Sequence, residues 1–318
     1  MIPVDLITGF LGAGKTTFLL RYASYLMAQG LRIGILVYDH GAVNVDMPLL
    51  QELTRGTCEL EMLSGGCDAD CHRRRFRTKL IAMGMRGYDR VLIEPSGVFD
   101  MDEFFDTLHE APLDRWYEAG SVIAIVDAKL DRELPPEADF FLASQAASAG
   151  CVVLSRTQLA TQSEIDGTVA HLREAQETIH CSGAREPRIL AKDWDALTDA
   201  DFAALTRCGY QASDYVKTIA GRETAFQSLS FLELPLSRAE LERKVRQLFQ
   251  DDHFGRIFRV KGFFPEGDAW YQLNATDKEL LIDRVPENRS AITVIGSALN
   301  EEAITVLLTG HPPEHRIL

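Results

Sequence analysis

One run of residues near the start of the chain, Gly9-Phe10-Leu11-Gly12-Ala13-Gly14-Lys15-Thr16-Thr17, leaves few choices for the fold. It fits the Walker A pattern G-x-x-x-x-G-K-[ST], and its flanks are those the pattern needs. Val4 to Thr8 reads as a short buried strand, and Phe18, Leu19, Leu20, Ala23, Leu26 and Met27 recur at helical spacing behind it. Glycines let successive backbone N–H groups turn into one concavity, and the N-terminus of the following helix adds positive potential. Gly9, Gly12, Ala13, Gly14, Lys15, Thr16 and Thr17 are therefore expected to cradle the phosphates of a nucleoside triphosphate. Lys15 would reach the β and γ phosphates, and Thr16 would place its hydroxyl on Mg2+.

A loop of this kind belongs at the C-terminal edge of a parallel sheet, and the chain supplies the strands. Residues 33–37, 90–93, 122–126 and 151–154 are apolar runs without polar alternation, as a sheet covered on both faces requires. Helices are predicted between them over 73–83, 101–108 and Gln162–Thr178, the last opened by Thr161 and Glu164. After about Gly221 the texture changes. Short strands follow closely at 228–234, 256–264, 269–274, 279–285 and 291–295, between a helix opened by Ser237 with Glu240 and one opened by Asn300. The expected architecture is α/β: a P-loop NTPase domain with a mostly parallel sheet over 1–220, and a small C-terminal α+β domain over 221–318.

Charge narrows the function. With 47 acidic and 33 basic side chains the net charge is -14, which disfavours a protein that coats nucleic acid. The run from His72 to Lys79, with Arg73, Arg74, Arg75 and Arg77, is the basic exception. It reads as a solvated or partner-contacting helix face. No apolar run is long enough for a membrane span, and the N-terminus lacks the basic region of a secretory leader. Six cysteines, three of them close together at Cys58, Cys67 and Cys71, suit a reducing, cytoplasmic setting better than a disulfide scaffold.

Two further segments complete the expected phosphate site. Glu94-Pro95-Ser96-Gly97 follows directly on the strand Val91-Leu92-Ile93, so Glu94 would face the same edge as the phosphate loop and hold the magnesium shell, directly or through water. Gly97 would offer an N–H to the γ-phosphate; the alternative is that Glu94 only caps the next helix. Asp39 and Asp46 lie after the second strand, where a switch loop would sit, and are candidates for the magnesium shell (Asp46 above all) or for positioning the attacking water. No residue stands out as a general base, so intrinsic turnover is expected to be slow.

On these residues the chain resembles the CobW-like P-loop GTPases, metallochaperones and metalloenzyme activators related to the nickel-insertion GTPases of urease and hydrogenase. Gly9 to Thr17 matches that family's G-F-L-G-A-G-K-T-T, and Glu94 to Gly97 its E-x-x-G. Val122 to Ala128 resembles its strand ending in V-D-A, and Lys261-Gly262 its K-G strand. The resemblance implies a Mg-dependent nucleoside triphosphatase whose nucleotide state controls a client metalloenzyme or cofactor-dependent enzyme, with a homodimer left open. A small-molecule kinase on the same loop is the alternative. A noncatalytic scaffold is opposed by the intact Lys15, Thr16 and Glu94.

Two departures bear on specificity. The family's N-K-x-D falls on Ser155-Arg156-Thr157-Gln158. Arg156 can lie over a purine as the family's Lys does. Gln158, with one acceptor and one NH2 donor, does not replace a carboxylate on guanine and suits adenine at least as well, so GTP leads ATP only through the family resemblance. The family's G-C-x-C-C reads Gly66-Cys67-Asp68-Ala69-Asp70-Cys71-His72 here. Cys67 and Cys71, with Asp70 or His72, remain candidate ligands for Zn2+ or another soft metal, and a full set would need Cys58, Glu61, a switch residue or a second subunit. A redox or iron-sulfur role, or plain switch-loop thiols, are the other readings.

Overall fold

The computed structural model describes residues 1–38, 58–63, 69–130, 134–181, 188–212, 227–287 and 290–312, apart from the side chains of Ala69, Asp70 and His72. These residues fall into two compact units. The predicted junction at 220/221 lies outside the described residues.

The first unit is built on a seven-stranded sheet. In chain order its elements are β1 (Ile2–Thr8), α1 (Lys15–Ala28), β2 (Ile33–Tyr38), β3 (Cys58–Leu63), α2 (Ala69–Gly84), β4 (Arg90–Glu94), α3 (Met101–His109), β5 (Tyr117–Asp127), α4 (Pro136–Ser148), β6 (Cys151–Ser155), α5 (Gln162–Thr178), β7 (Ile189–Leu190) and α6 (Asp199–Leu205). The strands lie in the order β3-β2-β4-β1-β5-β6-β7, and every adjacent pair is parallel. Alternation along the strands divides the core into two layers. Val4, Leu6, Leu36 and Ile93 face Phe76, Phe104, Leu142 and Leu172, on α2 to α5. Ile7, Ile35, Leu92 and Ile125 face Phe18, Leu19, Tyr22 and Leu26 of α1, with Phe202 of α6.

The second unit comprises β8 (Gln227–Leu232), α7 (Arg238–Gln250), β9 (Arg256–Glu266), β10 (Ala269–Ala275), β11 (Leu280–Val285), β12 (Ala291–Ser297) and α8 (Glu301–Thr309). Its strands run β11-β10-β9-β12-β8, antiparallel throughout. Leu241, Val245 and Leu248 of α7 and Ile304 and Leu308 of α8 pack on Val260, Leu273, Ile292 and Val294. Gly262 of the K-G strand is required by close approach: a Cβ there would meet the Ala291 carbonyl and lie 2.7 Å from Ile292 Cα. The fold is thus α/β with a parallel central sheet, followed by a β-rich C-terminal region.

Candidate functional site

The sheet order puts β1 between β4 and β5, where the chain switches sides. Ligands of open α/β sheets bind at such a point, beyond the carboxyl ends of the strands. Four segments leave the sheet there, after Thr8, Glu94, Asp127 and Ser155.

The loop after β1 bends through Gly9, Gly12 and Gly14, at φ 145°, 79° and 97°. A side chain at Gly9 would strike the Ile125 carbonyl oxygen of β5. Gly14 precedes α1 in a left-handed conformation, gives no side-chain cap, and no acidic residue occupies the first turn. By contrast, Asp100, Thr161, Thr198, Ser237 and Asn300 each cap their helices with a side-chain oxygen. Gly14 thus supplies no side-chain cap to this helix start, and helix starts of this kind suit an anion. Because Asp100 caps α3, Glu94 is not needed for that purpose.

Lys15 is buried, and its Nζ donates to the carbonyls of Gly9 at 2.9 Å and Phe10 at 3.4 Å. The ammonium therefore lies inside the turn of the loop. Thr16 Oγ1 donates to Glu94 Oε1 at 2.7 Å, joining α1 to the end of β4 across 78 residues of sequence. Hydroxyl and carboxylate are hard oxygen donors, and cis ligands of an octahedral Mg2+ stand about 3 Å apart, so this pair fits that ion. Gly97 is pressed against the same loop: a Cβ there would lie 2.5 Å from Leu11 N. Ala13 is buried, and Thr17 is exposed on the first turn of α1.

On the other flank, Arg156 leaves β6 in the left-handed region at φ 55°. Its Nη1 donates to Asp127 Oδ2 at 2.6 Å and to the Gly12 carbonyl at 3.2 Å. The side chain expected to cover the base is therefore tied to the phosphate loop. Ser155 is buried, with Oγ donating to Val126 O at 3.4 Å, whereas Gln158 is exposed. Asp127, the acid of the V-D-A ending, and Trp194 also belong to this site by position. Trp194 donates from Nε1 to Leu154 O at 2.9 Å, meets Phe18 edge-on, and would sit 3.2 Å from a Cβ on Gly14. The acid ending β5 was as visible as Glu94 at the end of β4. Trp194 had no local signal.

Asp39, Asp46 and Cys67 lie outside the described residues, as do the side chains of Asp70 and His72; Cys71 is half-buried on α2. Among the described residues no three His, Cys, Asp or Glu side chains gather to hold a metal. The suggested helpers Cys58 and Glu61 both lie on β3. Cys58 is buried, and burial, with Glu59 beside it, pushes its thiol up to about 12. Glu61 pairs with Lys79 at 2.6 Å and Arg86 at 2.8 Å, and its carboxyl is held below the usual range by the hydrogen bond from Lys79. The basic run on α2 is likewise partly neutralised within the chain, since Arg73 and Arg77 hold Glu110 at 2.6 and 3.2 Å.

The sequence model of the CobW/HypB/UreG nucleotide-binding domain matches residues 3–182. The chain belongs to this family. Among curated relatives, the zinc chaperone YjiA of Escherichia coli is 32% identical over 173 residues, 51% of this chain and 52% of that protein. The zinc chaperone YeiR of the same organism is 27% identical over 162 residues, 51% and 48% of the two chains. The zinc-regulated GTPase metalloprotein activator 1 of Schizosaccharomyces pombe is 26% identical over 166 residues, 50% and 39% of the two. The chain thus spans about half the length of the curated relatives it matches. Of solved structures, Zn(II)-bound YjiA GTPase from E. coli aligns over 97% of this chain and 98% of its own, at 19% identity and a TM-score of 0.36. CobW/HypB/UreG membership therefore rests on sequence, and it covers the segments that form the phosphate site. No described helix is long and apolar enough to cross a membrane.

Proposed function

We propose that this chain is a Mg-dependent nucleoside triphosphatase that serves as a metallochaperone or metalloenzyme maturation factor. The observation that carries the reading is the Thr16–Glu94 hydrogen bond of 2.7 Å at an uncapped helix N-terminus. It brings the two magnesium-binding candidates together at the start of α1. Thr16 and Glu94 would hold the ion, with Asp46 as a further candidate. When bound, Mg2+ neutralises charge on the β and γ oxygens. Lys15 would leave its loop carbonyls for those oxygens, the amides of Gly12 to Thr16 would bind the β-phosphate, and Gly97 would donate to the γ-phosphate. Asp39 remains the candidate to position the attacking water. Triphosphate binding by calorimetry, with hydrolysis and metal content measured on the same sample, tests the reading. A chain that binds no triphosphate with Mg2+ contradicts it.

For the base, the exposed Gln158 and the tethered Arg156 support weak discrimination. GTP is therefore expected to be favoured over ATP far less than by a protein with N-K-x-D. Substituting Arg156→Lys and Gln158→Asp together should raise GTP preference by about tenfold or more, the worth of a bidentate carboxylate pair. Titration of both nucleotides into both proteins measures this. Strong GTP selectivity in the wild type, untouched by the double substitution, would place base reading elsewhere.

The names of the relatives support zinc as cargo, with Cys67, Cys71, Asp70 and His72 as candidate ligands. Reduced wild type should bind one Zn2+ tighter than micromolar in a competition titration, and Cys67→Ser and Cys71→Ser should each weaken it, with Cys58→Ser doing less. Affinity should fall as pH drops, because thiolates must lose protons to bind. Any effect of triphosphate on zinc affinity must be matched by an equal effect of zinc on triphosphate affinity. Cysteine variants that bind zinc like the wild type would return these thiols to the switch loop as ordinary residues.

A further inference from the structure

Helix α4 departs from the pattern of the other helices in the first unit. Residues Phe140 to Ser148 are all buried, so it is apolar nearly all round. Within this stretch stands an amide, Gln145, at 1% exposure. Its Nε2 donates to the Gly97 carbonyl at 3.1 Å, across 48 residues of sequence. The orientation is fixed by chemistry, since a carbonyl only accepts and the nitrogen must face it. Its Oε1 is buried without a hydrogen-bond partner among the described residues. A buried acceptor left unsatisfied costs free energy, so an amide at this position is disfavoured on stability grounds alone.

What the amide holds explains its presence. Gly97 is wedged between Gln145 and the phosphate loop, with Leu11 N and Phe10 C at 2.5 and 2.9 Å from where its Cβ would be. Glycine at that point has no side chain to fix its torsions, so the turn after Glu94 depends on its neighbours for its position. Phe99 N closes the turn on Ser96 O at 3.2 Å, and the Gln145 bond secures the carbonyl between them.

We propose that Gln145 is a positioning residue for γ-phosphate recognition. By holding the Gly97 carbonyl it sets the peptide planes of the turn, and with them the distance of the Gly97 N–H from the terminal phosphate. The inference rests on the phosphate-site reading above and adds a residue outside every motif that carried it. Gln145 touches no phosphate; it acts through Gly97.

The test uses the full chain with Mg2+, a nonhydrolysable triphosphate analogue and the matching diphosphate. Gln145→Met keeps length and volume while removing both the donor and the orphaned acceptor. The expected result is a loss of about tenfold in preference for triphosphate over diphosphate, the size of one net hydrogen bond. Diphosphate affinity should stay within about twofold, and the melting temperature should be unchanged or raised. A merely structural glutamine would instead lower both affinities together, or neither. Gln145→Glu serves as the second variant. Its neutral carboxyl can donate to the Gly97 carbonyl and its ionised form cannot, so its triphosphate preference, relative to wild type at the same pH, should rise as pH falls. If the wild type prefers triphosphate and Gln145→Met prefers it equally, or if Gln145→Glu follows the wild-type pH profile, this inference is overturned alone. A wild type that binds neither nucleotide overturns the phosphate-site reading and this inference with it.

Discussion

Replacing Lys15 by alanine is expected to lower triphosphate hydrolysis by about 10²-fold or more, the scale on which a preorganised charge acts on a developing anion. The structure gives two reasons for a functional loss rather than a folding one. Loop curvature is set by the positive φ angles of Gly9, Gly12 and Gly14, which the substitution leaves alone. The packing of α1 rests on Phe18, Leu19, Tyr22 and Leu26, all beyond the loop. What the lysine contributes to the resting loop is its hydrogen bonds to the carbonyls of Gly9 and Phe10. These hold the ammonium inside the turn, near the position a bound phosphate would occupy. Losing them should cost a small shift in melting temperature, readable by circular dichroism beside the hydrolysis assay. Hydrolysis close to wild type at saturating Mg2+ would mean that these residues do not form a phosphate site.

Where the sequence was legible, one physical signal prevailed locally. Arg90–Glu94 and Cys151–Ser155 are central strands buried on both faces, so their apolar runs announce them. Thr161 and Ser237 form capping boxes with Glu164 and Glu240, as their spacing predicts. Elements without such a local signal obey other rules. Cys58–Leu63 is an edge strand whose Glu59 and Glu61 reach out to Arg32, Arg86 and Lys79, so polar residues interrupt it. Helix Pro136–Ser148 is buried on nearly every side and shows no amphipathic period. The site divides in the same way. Gly9 to Thr17 and Glu94 to Gly97 are contiguous motifs. The pairing of Arg156 with Asp127 and the place of Trp194 depend on neighbours brought together only by the sheet.

Substituting Arg90 by leucine is expected to destabilise the first unit by about 3–5 kcal/mol, the cost of stranding a buried charge. Asp5 lies in the middle of β1 at 0% exposure, four residues before the phosphate loop begins at Gly9. Arg90 Nη1 donates to its Oδ2 at 2.6 Å, Tyr22 Oη donates to the same oxygen at 2.7 Å, and Ser121 N donates to Oδ1 at 2.8 Å. The register of β1 against β5 shifts at this point, between Val4 and Leu6, so the carboxylate occupies a bulge. Burial already drives the Asp5 carboxyl above the ordinary 3.8 in the intact chain, against the lowering effect of Arg90, and losing the guanidinium should raise it further. A raised carboxyl pKa means that the folded chain holds the proton more tightly than the unfolded chain. The deficit of Arg90→Leu should therefore be smallest at low pH and grow as pH rises above about 4. Replacing all three groups, as Asp5→Val, Tyr22→Phe and Arg90→Leu, removes charge and orphaned hydroxyl together, and should recover most of the loss. Urea unfolding of the wild type, the single variant and the triple variant across pH decides the matter. A loss below about 1 kcal/mol in Arg90→Leu, or a triple variant no better than the single, would show that water or backbone groups already satisfy Asp5. If the expected order holds, this pair anchors the strand that presents the phosphate loop, which ties nucleotide binding to the integrity of the sheet beneath it.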